Sequence, residues 1–483
     1  MQPDEYARYD ALGLRGLMAA GEVTPAEVED AARRALETAN AALNGLSLPL
    51  FPRPLAHAAD GPFAGVPFLL KDGGPMAAGV PFALGSRAIR HAVAGHDSDL
   101  MCRFRAAGLA TLGQTTVPEM LLSFATESVR YGVTRNPWDL DRGAGGSSGG
   151  AAALVAAGAV PVAHASDGAG SIRVPASCCG LVGLKPSRGR VACGPDLGEP
   201  MFGMAAEFAL TRTVRDSAHL LDAVHGPGVG DKYTAAPPHR PYADELTAEP
   251  GRLRVAVTTR AWSGVPVDAQ VAAATERTAR LLERMGHDVS EAAPAVDGAD
   301  AVQALRAELS AIGAAFLSGP RPTDPLLLEA VSRQVIAETR GLGALELMAR
   351  LDAQNRVSRA VGAFFTRFDL LVTPTLAQLP APHGTLRYDD PLQSVAGWLE
   401  VMLGYGPFTS VFNVSGQPAV SLPLGHSAEG LPIGVQVVAG HGREDLLIQV
   451  AARLEEAAPW QERIAYAFVA RPTPLACAEE PAA

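Results

Sequence analysis

The sequence predicts an α/β protein, one large domain with a central β-sheet covered by helices on both faces. Three observations predict it. Residues 65–70 and 160–165 are short apolar runs of strand length, each delivering polar residues at its end. Residues 151–159 form an Ala/Val/Leu run with no polar face, so a helix there has to be buried. The order strand, glycine-rich loop, buried helix, strand belongs to α/β layering. A length of 483 residues would allow about three domains, but no linker divides the chain, so a single domain over 1–465 is expected.

Taken in order, residues 5–45 read as helical, within an N-terminal segment that reaches to about 60. Thr24-Pro25-Ala26-Glu27 is a capping box with proline at the first helical position, opening a helix to about Ala39. The strand at 65–70 presents Lys71-Asp72. Residues 96–107 read as a helix stopped by Gly108, and 109–113 as a strand. The strand at 160–165 is expected to be central and to run into Ser166-Asp167-Gly168. Thr213-Val214-Arg215-Asp216 opens a helix to Val224, which closes a core of about 61–225. Residues 254–257 read as a strand, and 268–285 as an amphipathic helix closed by Gly286. Residues 300–365 are alanine- and leucine-rich and helical. Residues 369–375 form a strand broken at Pro374, and 412–423 are turn-rich around a short strand. A strand at 433–439 and a helix at 443–456 complete a core return over about 411–460. No period of 20–50 residues repeats. The Pro/Ala-rich segment 466–483 is expected to be a flexible tail.

Composition removes several classes of function. Hydrophobic residues make up 48% and charged residues 19%, the balance of a globular chain. The net charge of −11 gives no support for a nucleic-acid partner. No apolar run reaches the roughly 18–20 residues that span a bilayer, and the acidic start Met1-Gln2-Pro3-Asp4-Glu5 is no leader, so no membrane association and a cytoplasmic location are expected. Five cysteines (102, 178, 179, 193, 477) make no disulfide framework, and neither CxxC nor HExxH occurs, so no metal or cofactor is expected. Lysine is rare: Lys71, Lys185 and Lys232 stand against 40 lysines and arginines together.

The chemistry gathers at two glycine-rich segments, 143–150 (Gly-Ala-Gly-Gly-Ser-Ser-Gly-Gly) and 166–173 (Ser-Asp-Gly-Ala-Gly-Ser-Ile-Arg). Serine in a tight glycine turn combines an exposed hydroxyl with backbone N–H groups aimed at one point, which suits acyl transfer. A Walker loop would need Gly-Lys-Ser/Thr, and a dinucleotide fingerprint fails at Ser148, so nucleotide binding is set aside. The GxSxG elbow is absent at Ser147, Ser148 and Ser171, and His164 lies inside a predicted strand, where a satisfied core histidine is expected. Lysine is left as the base. At the end of a buried strand, desolvation would lower the pKa of Lys71 and free a neutral amine; the alternative is an ion pair with Asp72 or another carboxylate.

With these residues in view, the chain resembles the amidase signature family. The resemblance rests on Lys71-Asp72, on 145–150 (Gly-Gly-Ser-Ser-Gly-Gly) and on 167–176 (Asp-Gly-Ala-Gly-Ser-Ile-Arg-x-Pro-Ala). It continues through 179–186 (Cys-Gly-Leu-Val-Gly-Leu-Lys-Pro) and 412–419 (Phe-Asn-x-Ser-Gly-x-Pro-Ala). It implies a central mixed β-sheet and a Ser–cis-Ser–Lys triad: Ser171 as nucleophile, Ser147 as bridging serine after a cis Gly146–Ser147 bond, and Lys71 as base. The N–H groups of Gly168, Ala169, Gly170 and Ser171 are then the oxyanion hole, Asp167 and Arg173 brace the turn, and Ser148 bonds within its loop. Two departures stand out: Ala169 replaces the usual first glycine before the nucleophile, and Gly73 replaces an asparagine after Lys71-Asp72.

Within the family, residues 166–173, 412–421 and 442–447 look most like the nylon-oligomer-degrading 6-aminohexanoate-cyclic-dimer hydrolases. That implies a small uncharged or apolar amide as partner with water, either the cyclic dimer or a related linear or aryl amide. Pocket walls are expected from 120–126, 193–204 and parts of 305–410, including Trp398, within a variable region of about 290–410. Alternatives on the same triad are carbamate or ester hydrolysis, or the A subunit of a glutamine-dependent tRNA amidotransferase. A non-catalytic binding protein is the alternative of another class. Homodimers are common in the family, so a homodimer is the assembly the resemblance suggests.

Overall fold

Thr24 opens the first long helix as its sequence dictates. The computed structural model, which describes residues 1–74, 76–319 and 323–460, shows Thr24 accepting from the Glu27 N–H while the Glu27 carboxylate takes the Thr24 N–H. The helix runs Pro25–Leu43, one turn past the expected end, because Asn44 supplies the left-handed cap (φ 52°). The next predicted helix begins later than expected, at Asp99, because Ser98 caps it through the Met101 N–H.

Ten strands form one mixed sheet: β1 (Pro67–Lys71), β2 (Ala110–Thr115), β3 (Val162–Asp167), β4 (Val182–Lys185), β5 (Ala206–Thr211), β6 (Arg254–Val257), β7 (Asp288–Glu291), β8 (Leu370–Pro374), β9 (Ala419–His426) and β10 (Pro432–Ala439). Their order is β7-β6-β8-β10-β9-β4-β5-β3-β1-β2. β2, β1 and β3 run parallel, as do β7, β6 and β8, while the strands between them pair antiparallel. β1, β2, β3 and β8 are buried at every residue, and successive side chains point to opposite faces, so helices cover both. The fold is the predicted single α/β domain.

Three details differ from expectation. β3 is interior but third from one edge, because β1 and β2 complete the sheet beyond it. β4, β5 and β7 were not anticipated: β4 has four residues including Gly183, and β7, Asp-Val-Ser-Glu, is a polar edge strand without an apolar run. The stretch at 412–423 holds a one-turn helix, Val411–Ser415, ended by Gly416 at φ 87°, before the longer β9. The tail at 466–483 lies outside the described residues.

The topology converges on one place. β1 and β3 are adjacent and parallel, so their C-terminal ends, Lys71 and Ser166-Asp167, lie side by side. The fully buried helix Gly149–Ala156 follows the first glycine loop, and the helix Arg173–Cys179 follows the second. Both loops therefore meet at the end of the β1–β3 pair.

Candidate active site

Lys71 ends β1 with its side chain fully buried. Its Nζ donates to Ser147 Oγ at 2.8 Å, to Ser166 Oγ at 2.8 Å and to the Ser166 carbonyl at 3.3 Å. Burial draws the ammonium down from 10.5 to about 8, against the opposing charges of Glu207, Asp167 and Asp72. The ion pair with Asp72 considered from sequence does not form: that carboxylate takes the N–H groups of Ala83 and Gly85 and the hydroxyl of Tyr131. His164 is the satisfied core histidine expected. Its Nδ1 faces the Lys71 N–H at 3.3 Å and must accept, so Nε2 carries the proton toward Glu207 Oε2 at 2.7 Å.

Ser147 follows a cis Gly146–Ser147 peptide. Thr126 ties the first loop together, donating to the Gly145 carbonyl and accepting from the Gly149 N–H. Ser148 reaches across to the Ser166 carbonyl at 3.4 Å, so it links the two loops rather than closing its own.

The second loop is held by ions. The Asp167 carboxylate receives Arg173 through Nε at 2.9 Å and Nη2 at 2.8 Å, together with the N–H groups of Ile172 and Arg173. Burial alone would raise the Asp167 pKa, but the charge and hydrogen bonds of Arg173 outweigh it and hold the group at about 2. Asn413 donates to the carbonyl and carboxylate of Asp167 and accepts from Arg173, so the 412–419 motif locks onto the second loop. The carbonyls of Ala169 and Gly170 are used, by Thr409 Oγ1 and the Val174 N–H. Among the described residues, the N–H groups of Gly168, Ala169, Gly170 and Ser171 have no protein acceptor. Gly170 needs to be glycine, with φ +146° and Thr409 Oγ1 only 2.4 Å from where a Cβ would stand.

A cavity of about 80 Å³ covers this arrangement, with Ser147, Ser166 and Ser171 on its floor. Ser171 is 6% exposed, and its hydroxyl has no partner among the described residues. The walls come from the three expected segments: Leu121–Phe124, then Leu197, Pro200 and Met201, then Leu305, Glu308, Leu309, Leu399 and Met402. Trp398 is not on the wall. It stands behind it, with its indole N–H on the Leu122 carbonyl at 2.8 Å. Ser166 and Glu308 were not singled out for a role from sequence. Ser166 was visible as the residue opening the second loop; Glu308 sits in a helix with no motif.

The family model for amidases matches residues 28–448. The chain belongs to the amidase signature family. It is 39% identical over 478 residues to the 6-aminohexanoate-cyclic-dimer hydrolase of Paenarthrobacter ureafaciens, covering 94% of this chain and 96% of that one. A solved structure of 6-aminohexanoate cyclic dimer hydrolase superposes with a TM-score of 0.88 at 38% identity, covering 94% and 98% of the two chains. A bacterial aryl acylamidase of the same family superposes with a TM-score of 0.81 at 26% identity, covering 96% and 99%. This amidase is accordingly a hydrolase of carbon–nitrogen bonds. Among its described residues, no helix is long and apolar enough to cross a membrane, and no group of three His, Cys, Asp or Glu is placed to hold a metal ion.

Proposed function

We propose that this amidase cleaves small, uncharged amides through an acyl-enzyme on Ser171, with Ser147 as relay and Lys71 as base. The observation that carries the reading is the buried Lys71 Nζ, poised near neutrality and 2.8 Å from Ser147 Oγ beneath the cavity that Ser171 shares. Neutral Lys71 takes a proton from Ser147, Ser147 takes one from Ser171, and Ser171 Oγ bonds to the amide carbon. The N–H groups of Gly168, Ala169, Gly170 and Ser171 receive the oxyanion; each such donor is worth about 100–1000-fold in rate. The relayed proton leaves with the amine, and water then releases the acid. Gly146 and Ser148 shape the first loop, and Asp167 and Arg173 hold the second.

The walls support that substrate class. Leu121, Phe124, Leu305, Leu309, Leu399 and Met402 favour apolar acyl and amine parts. The relatives' names support 6-aminohexanoate cyclic dimer and aryl amides as the first candidates to try. The region 290–410 supplies the wall helices, and the reaction requires only the amide and water.

Intact-mass analysis after fluorophosphonate treatment should show one adduct, on Ser171, and the same preparation should turn over an aryl amide or the cyclic dimer. Turnover that survives Ser171→Ala would overturn the reading. Release of ammonia from glutamine, or a preference for the carbamate or ester of the same acyl group, would redirect it.

A further inference from the structure

The helix Gly298–Leu317 turns Leu305, Glu308 and Leu309 toward the cavity, the i, i+3, i+4 face. Leucine there is expected. Glu308 is not: it is 5% exposed, and neither carboxyl oxygen has a hydrogen-bond partner among the described residues; Oε2 is fully buried. Its carboxyl lies against the second glycine loop, for a Cβ on Gly168 would stand 2.5 Å from Glu308 Oε1. A buried polar group without a partner is costly, so one that persists at a ligand cavity points to a partner that arrives with the ligand.

The other polar groups are already committed. The three serines and the loop N–H groups serve the scissile amide, and Glu207 is taken by His164. Resting on the reading above, we propose that Glu308 is a specificity residue that hydrogen-bonds a second, neutral amide of the substrate, so that the cavity selects diamides over monoamides. A carboxylic acid has one O–H donor and one carbonyl acceptor, matching the C=O and N–H of an amide.

Its surroundings keep that proton on at neutral pH. Burial, reinforced by the Asp167 charge, pushes the Glu308 pKa up to about 8. The cations nearby are committed, Arg173 to Asp167 and Lys71 to the serines. On the far side of the helix, Arg306 and Arg350 both pair with Glu338, Arg350 also pairs with Glu346, and Asp300 pairs with Arg356. The turn 200–203 and the helix Val411–Ser415, also packed on this helix, bring no charge. A neutral acid suits a neutral amide.

The test compares N-acetyl-ω-aminoacyl p-nitroanilides having two to five methylenes with alkanoyl p-nitroanilides of equal length. At pH 7 the parent enzyme should prefer the best diamide by at least about tenfold in kcat/KM. Glu308→Leu should erase that preference, lowering kcat/KM more on the diamides than on the monoamides, with no fall in melting temperature. Glu308→Gln, which keeps a donor and an acceptor, should retain it. In the parent the ratio should fall as pH rises past about 8 and Glu308 ionises, and in Glu308→Gln it should stay flat. Taking a ratio cancels the titration of Lys71. Equal loss on both substrate types in Glu308→Leu, or an unmoved ratio, overturns the inference while the Ser171 chemistry stands. No Ser171-dependent turnover of either type overturns the site reading beneath it.

Discussion

Lys71 and Lys185 are both buried lysines at the ends of strands, and burial lowers both. Lys71 falls to about 8 and Lys185 to about 7, the second assisted by the positive charge of Arg173. Judged by the shift alone, Lys185 is the better base. Geometry reverses the order. Lys71 Nζ reaches two serine hydroxyls under the cavity, whereas Lys185 Nζ donates to the Pro186 carbonyl at 2.9 Å. Desolvation prepares an amine for catalysis, and a proton path puts it to use.

Substitution should separate the two lysines by orders of magnitude. Ser171→Ala is expected to lose at least about 10⁴-fold in kcat, and Lys71→Met should approach it if, as proposed, Lys71, Ser147 and Ser171 act as a unit. In the parent, kcat/KM on a monoanilide should climb with pH and level off above about 8, as Lys71 becomes neutral. Residual hydrolysis by Lys71→Met should rise with hydroxide without that plateau. An unchanged profile would remove Lys71 from the role of base. Lys185→Met, by contrast, should keep kcat within about tenfold of the parent; a loss matching that of Lys71→Met would break the comparison.

The two lysines also share a stability signature. Between their native values and 10.5, the unfolded chain binds more protons than the native protein does. Stability from these groups therefore rises with pH through that window. Lys185→Met should flatten the rise, read as urea midpoints at pH 7 and pH 10.

A larger change in stability, with a smaller gap in mechanism, is expected at Arg173. Its guanidinium joins Asp167, Asn413, Gln436 and the Thr409 carbonyl, so it ties the second loop to the C-terminal return. Arg173→Met leaves Asp167 buried without its cation and should cost about 3–5 kcal/mol in denaturant unfolding. The double variant Arg173→Met/Asp167→Asn should recover part of that. In the parent, the Asp167 contribution is present above the unfolded value of 3.8 and is lost as pH falls through about 2.

What was legible in the sequence follows the same division. Apolar runs and caps located β1, β3, β6, β8 and the helices at Thr24 and Thr213, because each is a local signal of burial or backbone satisfaction. β7 was hidden because an edge strand needs no apolar face, and β4 because Gly183 interrupts four residues. At the site, the serines and Lys71 announce themselves through glycine and strand-end context. Asn413 was visible only within a motif, since its partner Asp167 lies 246 residues away. Glu308 gave no signal, because a carboxyl on an alanine-rich helix reads as a solvated face until the helix is docked.

The smallest expected effect tests which glycines the turn needs. A Cβ at Gly168 would meet only the movable ends of Glu308 and Met201, whereas Gly170 is fixed by its φ of +146°. Ala169 is not among the residues with positive φ, so its methyl group costs no backbone strain, and its N–H has no protein acceptor among the described residues. Ala169→Gly, which restores the usual pair of glycines, should therefore change kcat by less than about threefold. It should lower stability by about 0.4–1 kcal/mol, because the unfolded chain gains freedom. Gly170→Ala, one residue on, should lose both activity and stability, since its Cβ would collide with Thr409. A large gain in rate from Ala169→Gly would mean that the alanine restrains the oxyanion turn, and the loop N–H groups would then have to be reassigned.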